Sequence, residues 1–242
     1  MFKKSILNGI MLPLILFVTL LPSCDFLDHE RGEGDILTED RAAKDFHALE
    51  IDVPGTIILH TGPNFKVTVK CEETIIGYLE TVVRSNDRLH IYFSESVYDV
   101  DDLEIIVTAP SFDAIEINGS AELICDDPMD GNDLDLDISG SGSMELTDVD
   151  FDDIRADISG SGDVLLRGIA DRLIGQVSGS GDLDALDCPV READIRVSGS
   201  GSVRCDVTQH LKARVSGSGN VWYEGNPTLD VDISGSGKVR KL

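Results

Sequence analysis

From Phe46 onward, apolar and polar residues alternate in short runs: Leu49, Ile51 and Val53; Ile57 and Leu59; Val67, Val69 and Cys71; Leu89, Ile91 and Phe93; Leu103, Ile105 and Val107. A period of two places every second side chain on one face of a pleated strand. The runs are bounded by Gly62-Pro63-Asn64, Ser85-Asn86-Asp87 and Ala109-Pro110-Ser111, residues that favour turns, so they predict β-strands. One segment, Thr74 to Val83, is also compatible with a helical turn or two.

Further along, the alternation acquires a longer period. Ser139-Gly140-Ser141-Gly142 returns at 159, 178, 198, 216 and 234, at steps of 20, 19, 20, 18 and 18 residues. A short unit repeated at such steps is the mark of a solenoid whose rungs bury their apolar faces on one another. After each motif stands an apolar pair two residues apart: Met144 and Leu146, Val164 and Leu166, Leu183 and Ala185, Val203 and Cys205, Val221 and Tyr223. Before it stands another, such as Leu136 and Ile138 or Ile195 and Val197, and the residues between, Asp137, Asp157, Gln176, Arg196, Arg214 and Asp232, face solvent. A straight strand through both pairs would be about 13 residues and roughly 43 Å long, too long for one side of a rung, so the chain bends at the motif. The glycines supply the bend: Gly140 and Gly142, Gly160 and Gly162, Gly179 and Gly181, Gly199 and Gly201, Gly217 and Gly219, Gly235 and Gly237. On a strict alternation both glycines of a pair fall on the inward phase, and the serines form ladders outside. Length variation collects at a second, looser corner, at Asp148-Val149-Asp150, Arg167-Gly168-Ile169, Asp187-Cys188-Pro189 and Gly225-Asn226-Pro227.

Degenerate copies of the motif lie at 115–123 and, more weakly, at 53–59. The expected architecture is all-β: a parallel β-solenoid with rungs of about 18–21 residues, preceded by a less regular β-rich half. The chain divides into a leader (1–23), a tether (24–40), the irregular half (41–117) and the repeat half (118–242). The final copy ends in Lys238, Arg240 and Lys241. Charge on a terminal edge strand guards against edge-to-edge pairing; docking of these cations on an acidic neighbour is the alternative.

Phe46-His47-Ala48-Leu49-Glu50-Ile51, Val53-Pro54-Gly55-Thr56, the strand from Leu103 to Pro110, Ile115-Glu116-Ile117-Asn118-Gly119-Ser120 and the serial Ser-Gly-Ser-Gly strands together resemble the auto-transporter adhesin, head GIN domain, family of Bacteroidetes envelope proteins, a domain of unknown function. The resemblance covers roughly residues 40–242. It implies a right-handed parallel β-helix and an adhesin role, and it carries over no catalytic residue.

The N-terminus adds a compartment. Met1-Phe2-Lys3-Lys4 and the apolar run from Ile6 to Leu21 form an export leader, and Leu21-Pro22-Ser23-Cys24 resembles a lipobox, in which Cys24 is acylated and becomes the first mature residue. Residues 25–40 read as an acidic tether between lipid and folded body. The expected location is the envelope of a Gram-negative bacterium, as an outer-membrane lipoprotein facing the periplasm or the surface. With 45 acidic against 20 basic residues the net charge is −25, which repels phosphate backbones and argues against a nucleic-acid partner.

Candidate chemistry is sparse. Ser-Gly-Ser-Gly-Asp at 159–163 and 178–182 is similar to the calcium-binding β-rolls, but those repeat every nine residues or so, half this period. Asp163 and Asp182, at one position on neighbouring rungs, are the best pair for weak Ca²⁺ collection; otherwise no cofactor is indicated. His29, His47, His60, His90 and His210 have neither metal nor triad spacing. Among so many acids a carboxylate pair is not diagnostic. Cys71, Cys125 and Cys205 share the apolar phase and read as small core residues, with no disulfide required. Trp222, on the outward phase, is the candidate ligand contact, to a sugar ring or a protein surface. The leading expectation is a lipid-anchored, non-enzymatic protein for adhesion or for glycan or protein binding. A polysaccharide-active enzyme and a structural assembly protein are the alternatives.

Overall fold

A computed structural model describes residues 30–242. The leader, Cys24 and the first part of the tether lie outside the described residues. Within them are nineteen strands and no helix. In chain order the first eleven are β1 (Glu30–Arg31), β2 (Ile36–Arg41), β3 (Ala48–Ile51), β4 (Thr56–Thr61), β5 (Lys66–Glu72), β6 (Leu79–Val83), β7 (Arg88–Phe93), β8 (Val97–Tyr98), β9 (Glu104–Ala109), β10 (Ala114–Ile117) and β11 (Glu122–Cys125). The repeat half supplies β12 (Met129–Gly140), β13 (Ser143–Gly160), β14 (Asp163–Gly179), β15 (Asp182–Gly199), β16 (Ser202–Gly217), β17 (Asn220–Glu224), β18 (Thr228–Gly235) and β19 (Lys238–Lys241).

The repeat half is a parallel β-solenoid. Equivalent residues lie over one another in register: Ile138, Ile158, Val177, Val197, Val215 and Ile233 form one column, and Met144, Val164, Leu183, Val203, Val221 and Val239 another. Because each rung buries the same apolar phase, a slip of one residue would turn all of a rung's buried side chains outward, and this fixes the stack. In the rung built by β13 the buried residues are Met144 and Leu146, then Val149 and Phe151, then Ile154, Ala156 and Ile158. The inward phase therefore skips at 147–148 and again at 152–153, and each skip leaves two adjacent residues outside. A full rung has three sides. The second corner expected from the sequence is present, and it is there that the registers of β13 on β14, β14 on β15 and β15 on β16 shift. The third corner, at Asp152-Asp153 in this rung, is an addition to that expectation.

The N-terminal half continues the same stack, out of chain order. β3 lies between β7 and β10, with Leu49 paired to Leu89 on one side and Ile115 on the other. β4 lies likewise between β9 and β11, Ile57 meeting Ile105 and Leu123. β10 and β11 then pass the register to β12 and β13. The outer end is closed by antiparallel strands: β6 pairs with β7, β5 with β9, and β2 with β5.

Two expectations change here. Residues 30–41 are not wholly a tether, because β1 pairs with β8 and β2 covers the edge of β5. β2 has no apolar face to declare it; it is held by ladder hydrogen bonds and is exposed nearly throughout. Residues 73–78 form turns, but Leu79 to Val83 is a strand rather than a helical turn, since Ser85-Asn86-Asp87 returns it onto β7 as a hairpin.

Candidate functional site

The Ser-Gly-Ser-Gly corner uses its two glycines differently. The first has φ of +127° to +141° in all six copies, a region closed to most L-residues, and is not fully buried. A Cβ on Gly179 would collide with the carbonyl oxygen of Gly160 in the rung below. Only the second glycine faces the core. A Cβ on Gly181 would strike the Gly162 carbonyl and stand 2.8 Å from Cγ2 of Ile158. The inward placement of both glycines is thus corrected: the first leaves the strand alternation because its positive φ redirects the chain. The serines face solvent, stacked from Ser139 to Ser234.

Asp163 and Asp182 are neighbours in a column, and each caps the next rung. Oδ1 of Asp163 accepts the Asp182 N–H at 2.9 Å, and Oδ1 of Asp182 accepts the Ser202 N–H at 2.8 Å. Where serine occupies the lower position the backbone does this work itself, Asp163 N–H reaching Gly142 O at 3.1 Å and Asn220 N–H reaching Gly201 O at 3.2 Å. Trp222 is half-buried, and in register it lies between Arg204 and Arg240.

A polar network absent from the sequence reading covers the outward face of β7, β3 and β10. His90 is buried and stacks on Tyr92 with ring centroids 4.3 Å apart. Its Nδ1 is 2.7 Å from Nη2 of Arg84 and its Nε2 is 2.7 Å from Oδ2 of Asp52. Arg84 also donates to Glu50 at 2.6 Å, Asn118 bridges Asp52 and Glu116 at 2.9 Å each, and Arg88 donates to Glu116 at 3.0 Å. Glu50, Asp52 and His90 place ligand-type atoms within 4.8 Å of one another, close enough to suit a cation. The hydrogen bonding argues otherwise. Arginine only donates, so Nδ1 must accept, and the ring proton lies on Nε2 and is given to Asp52. In that tautomer Nε2 has no lone pair for a metal, and the cluster is a staple across three strands. The outward column continues as Asp137 and Asp157. Desolvation, then the carboxylates of Asp157 and Glu116, hold the Asp137 pKa above the usual aspartate value. His47 pairs with Asp113 at 2.8 Å and His60 with Asp127 at 2.9 Å.

The N-terminal rungs also carry a cavity of about 430 Å³. Its walls are three segments that leave the ends of the parallel strands β4, β9 and β11: Thr61-Gly62-Pro63, Pro110-Ser111-Phe112 and Pro128-Met129-Asp130. In the repeat half the chain at this place runs on into the third side. β4 instead doubles back through Gly62-Pro63-Asn64 into β5, which leaves that side open. Phe112 and Met129 are buried at the floor, and the three prolines stand exposed around it. Asp127 fixes one wall by accepting the Thr61 N–H at 3.1 Å and holding His60. The turn residues were visible in the sequence, but their convergence required the non-sequential stacking.

The fold is that of a parallel β-solenoid closed at one end, carrying an outward polar face and a proline-rimmed cavity. Residues 45–227 match the model of the family "Putative auto-transporter adhesin, head GIN domain", and the chain belongs to that family. Among solved structures it is similar to a putative adhesin from Bacteroides fragilis, with a TM-score of 0.83 and 20% identity over 88% of this chain and 99% of that one. It is also similar to a putative lipid binding protein from Parabacteroides distasonis, with a TM-score of 0.74 and 23% identity over 88% and 99%. A putative adhesin from the same organism gives a TM-score of 0.71 and 24% identity over 89% and 100%. None of the curated proteins matches this chain.

Proposed function

We propose that the protein is a non-enzymatic binding module of the cell envelope, anchored through a lipid on Cys24, that engages a protein ligand through the proline-rimmed cavity. The cavity carries this reading. Its rim sets three rigid proline rings among Thr61, Ser111 and Asp130, over a floor of Phe112 and Met129, which suits a partner's side chain with an apolar body and a polar end. The ionisable groups around His90, by contrast, are engaged with one another, and Arg84 and Asp52 occupy both of its ring nitrogens. Acylation at Cys24 would present this surface from the outer membrane on a short linker, in keeping with an adhesin.

The test is binding of the labelled chain lacking residues 1–23 to cell-surface protein fractions, with a glycan array in parallel. Ser111→Trp, at an exposed position on the rim, should abolish protein binding while leaving the unfolding midpoint unchanged. Undiminished binding by that variant, or ligands found only on the glycan array, overturns the cavity as the site. A glycan cleaved by the protein would favour an enzyme instead.

A further inference from the structure

The two ends of the solenoid are built differently. At the N-terminal end the parallel strands are covered by β6, β5 and β2. At the other end, among the described residues, nothing lies over β18 and β19. Leu229, Val231 and Ile233 keep the inward phase but are 45%, 40% and 42% exposed, whereas Leu211, Ala213 and Val215 one rung below are 0%, 0% and 2%. An uncovered rung of this kind combines apolar side chains with a row of free backbone donors and acceptors, which is a template for strand pairing.

The charges on this rung are arranged in a particular way. Asp230 and Asp232 occupy the outward positions of β18, and Lys238 and Arg240 those of β19. None of the four has an ion-pair partner among the described residues. One edge strand is therefore acidic and the next, beyond the corner at 234–237, is basic. Such an edge repels a copy of itself laid strand on like strand. It accepts a copy turned over about a twofold axis through the corner, because that rotation exchanges the two sides and reverses strand direction. β18 of each copy then meets β19 of the other in antiparallel pairing.

We propose that two copies associate end to end through their open C-terminal rungs, each β18 pairing with the partner's β19. Outward residues face outward residues in any register that keeps the apolar phase, so Asp232 meets a lysine or an arginine, and Val231 or Ile233 packs against Val239. The interface is isologous and closes after two copies. Stacking onto the N-terminal end does not offer this fit: there one side extends by the single strand β6 beyond β7, and the other by both β5 and β2 beyond β9. The edge cations are thus one half of a pairing code.

Sedimentation velocity of the purified protein across a wide concentration range should give a monomer–dimer equilibrium. The double variant Lys238→Glu/Arg240→Glu makes both strands acidic, and Asp230→Lys/Asp232→Lys makes both basic. Each alone should weaken the dimer by about tenfold or more, since every reversed contact occurs twice. An equimolar mixture of the two should restore a dimer, now a heterodimer, because each acidic strand again faces a basic one. All four positions are on the exposed terminal rung, and unchanged circular dichroism confirms folding. A wild type that stays monomeric throughout, a dimer indifferent to both variants, an open-ended polymer, or a mixture that stays monomeric each overturns the proposal.

Discussion

At the scale of single residues, the corner glycines and the capping aspartates carry the fold. Gly179→Ala forces a side chain into positive φ and into the Gly160 carbonyl at once, and should destabilise the protein by about 2 kcal/mol or more in urea titration. Gly119→Ala is its control: nothing lies within 4 Å of the added methyl, and stability should change by less than about 0.5 kcal/mol. Asp182→Ala leaves the Ser202 N–H without its acceptor and should cost about 1 kcal/mol, most of which Asp182→Asn should restore through its amide oxygen. Asp137 predicts a pH dependence. Its pKa is raised in the folded state, so its charge opposes folding above that pKa, and the opposition fades as pH falls toward the ordinary carboxylate range. Asp137→Asn should therefore raise the urea midpoint at neutral pH and leave it unchanged near the acid end of the titration. The need for glycine at the corner was legible from the repeat. The unlike roles of the two glycines were not, because alternation assigns a phase but not the sign of φ.

At the scale of elements, strands with a buried phase were legible and strands without one were not. Leu49, Ile57, Leu89 and Ile105 announced β3, β4, β7 and β9 through alternation, whereas β2 is nearly all exposed and is defined by what it covers. β6 was ambiguous because its assignment depends on the hairpin partner rather than on its own composition. The staple on β7, β3 and β10 was invisible for a related reason: His90 and Asp52 are 38 residues apart and meet only through the stacking. His90→Ala removes the acceptor for Arg84 and the donor for Asp52 together, and should cost about 2 to 3 kcal/mol by chemical denaturation. A shift no larger than that of a surface substitution would show that the network is dispensable.

At the scale of the whole molecule, the apolar columns run without a break from Ile91 and Ile105 at one end to Val215 and Val221 near the other, crossing the boundary between the irregular and regular halves. The four cysteines in the described residues are free and lie within this core. Burial pushes the thiols of Cys71, Cys125 and Cys188 up to about 11 and that of Cys205 to about 12. They should be inert to a thiol reagent in the native protein and all react on unfolding; rapid labelling of the folded protein would mean that the stack opens. The repeat half was readable almost residue by residue, since a periodic sequence states its own register. The cavity was not, because it is formed by three turns distant in sequence.

The insertion of β3 and β4 between strands that come later in the chain bears on when the protein can fold. A rung of the repeat half needs only the segment about one period ahead of it, so its contacts are short in sequence and quick to form. The rung of β3 and β4 must wait for β7 and β9 on one side and β10 and β11 on the other. The full set of partners for this rung is therefore present only once residues beyond 120 are available. Completion of the irregular half is thereby tied to the arrival of the first strands of the regular one.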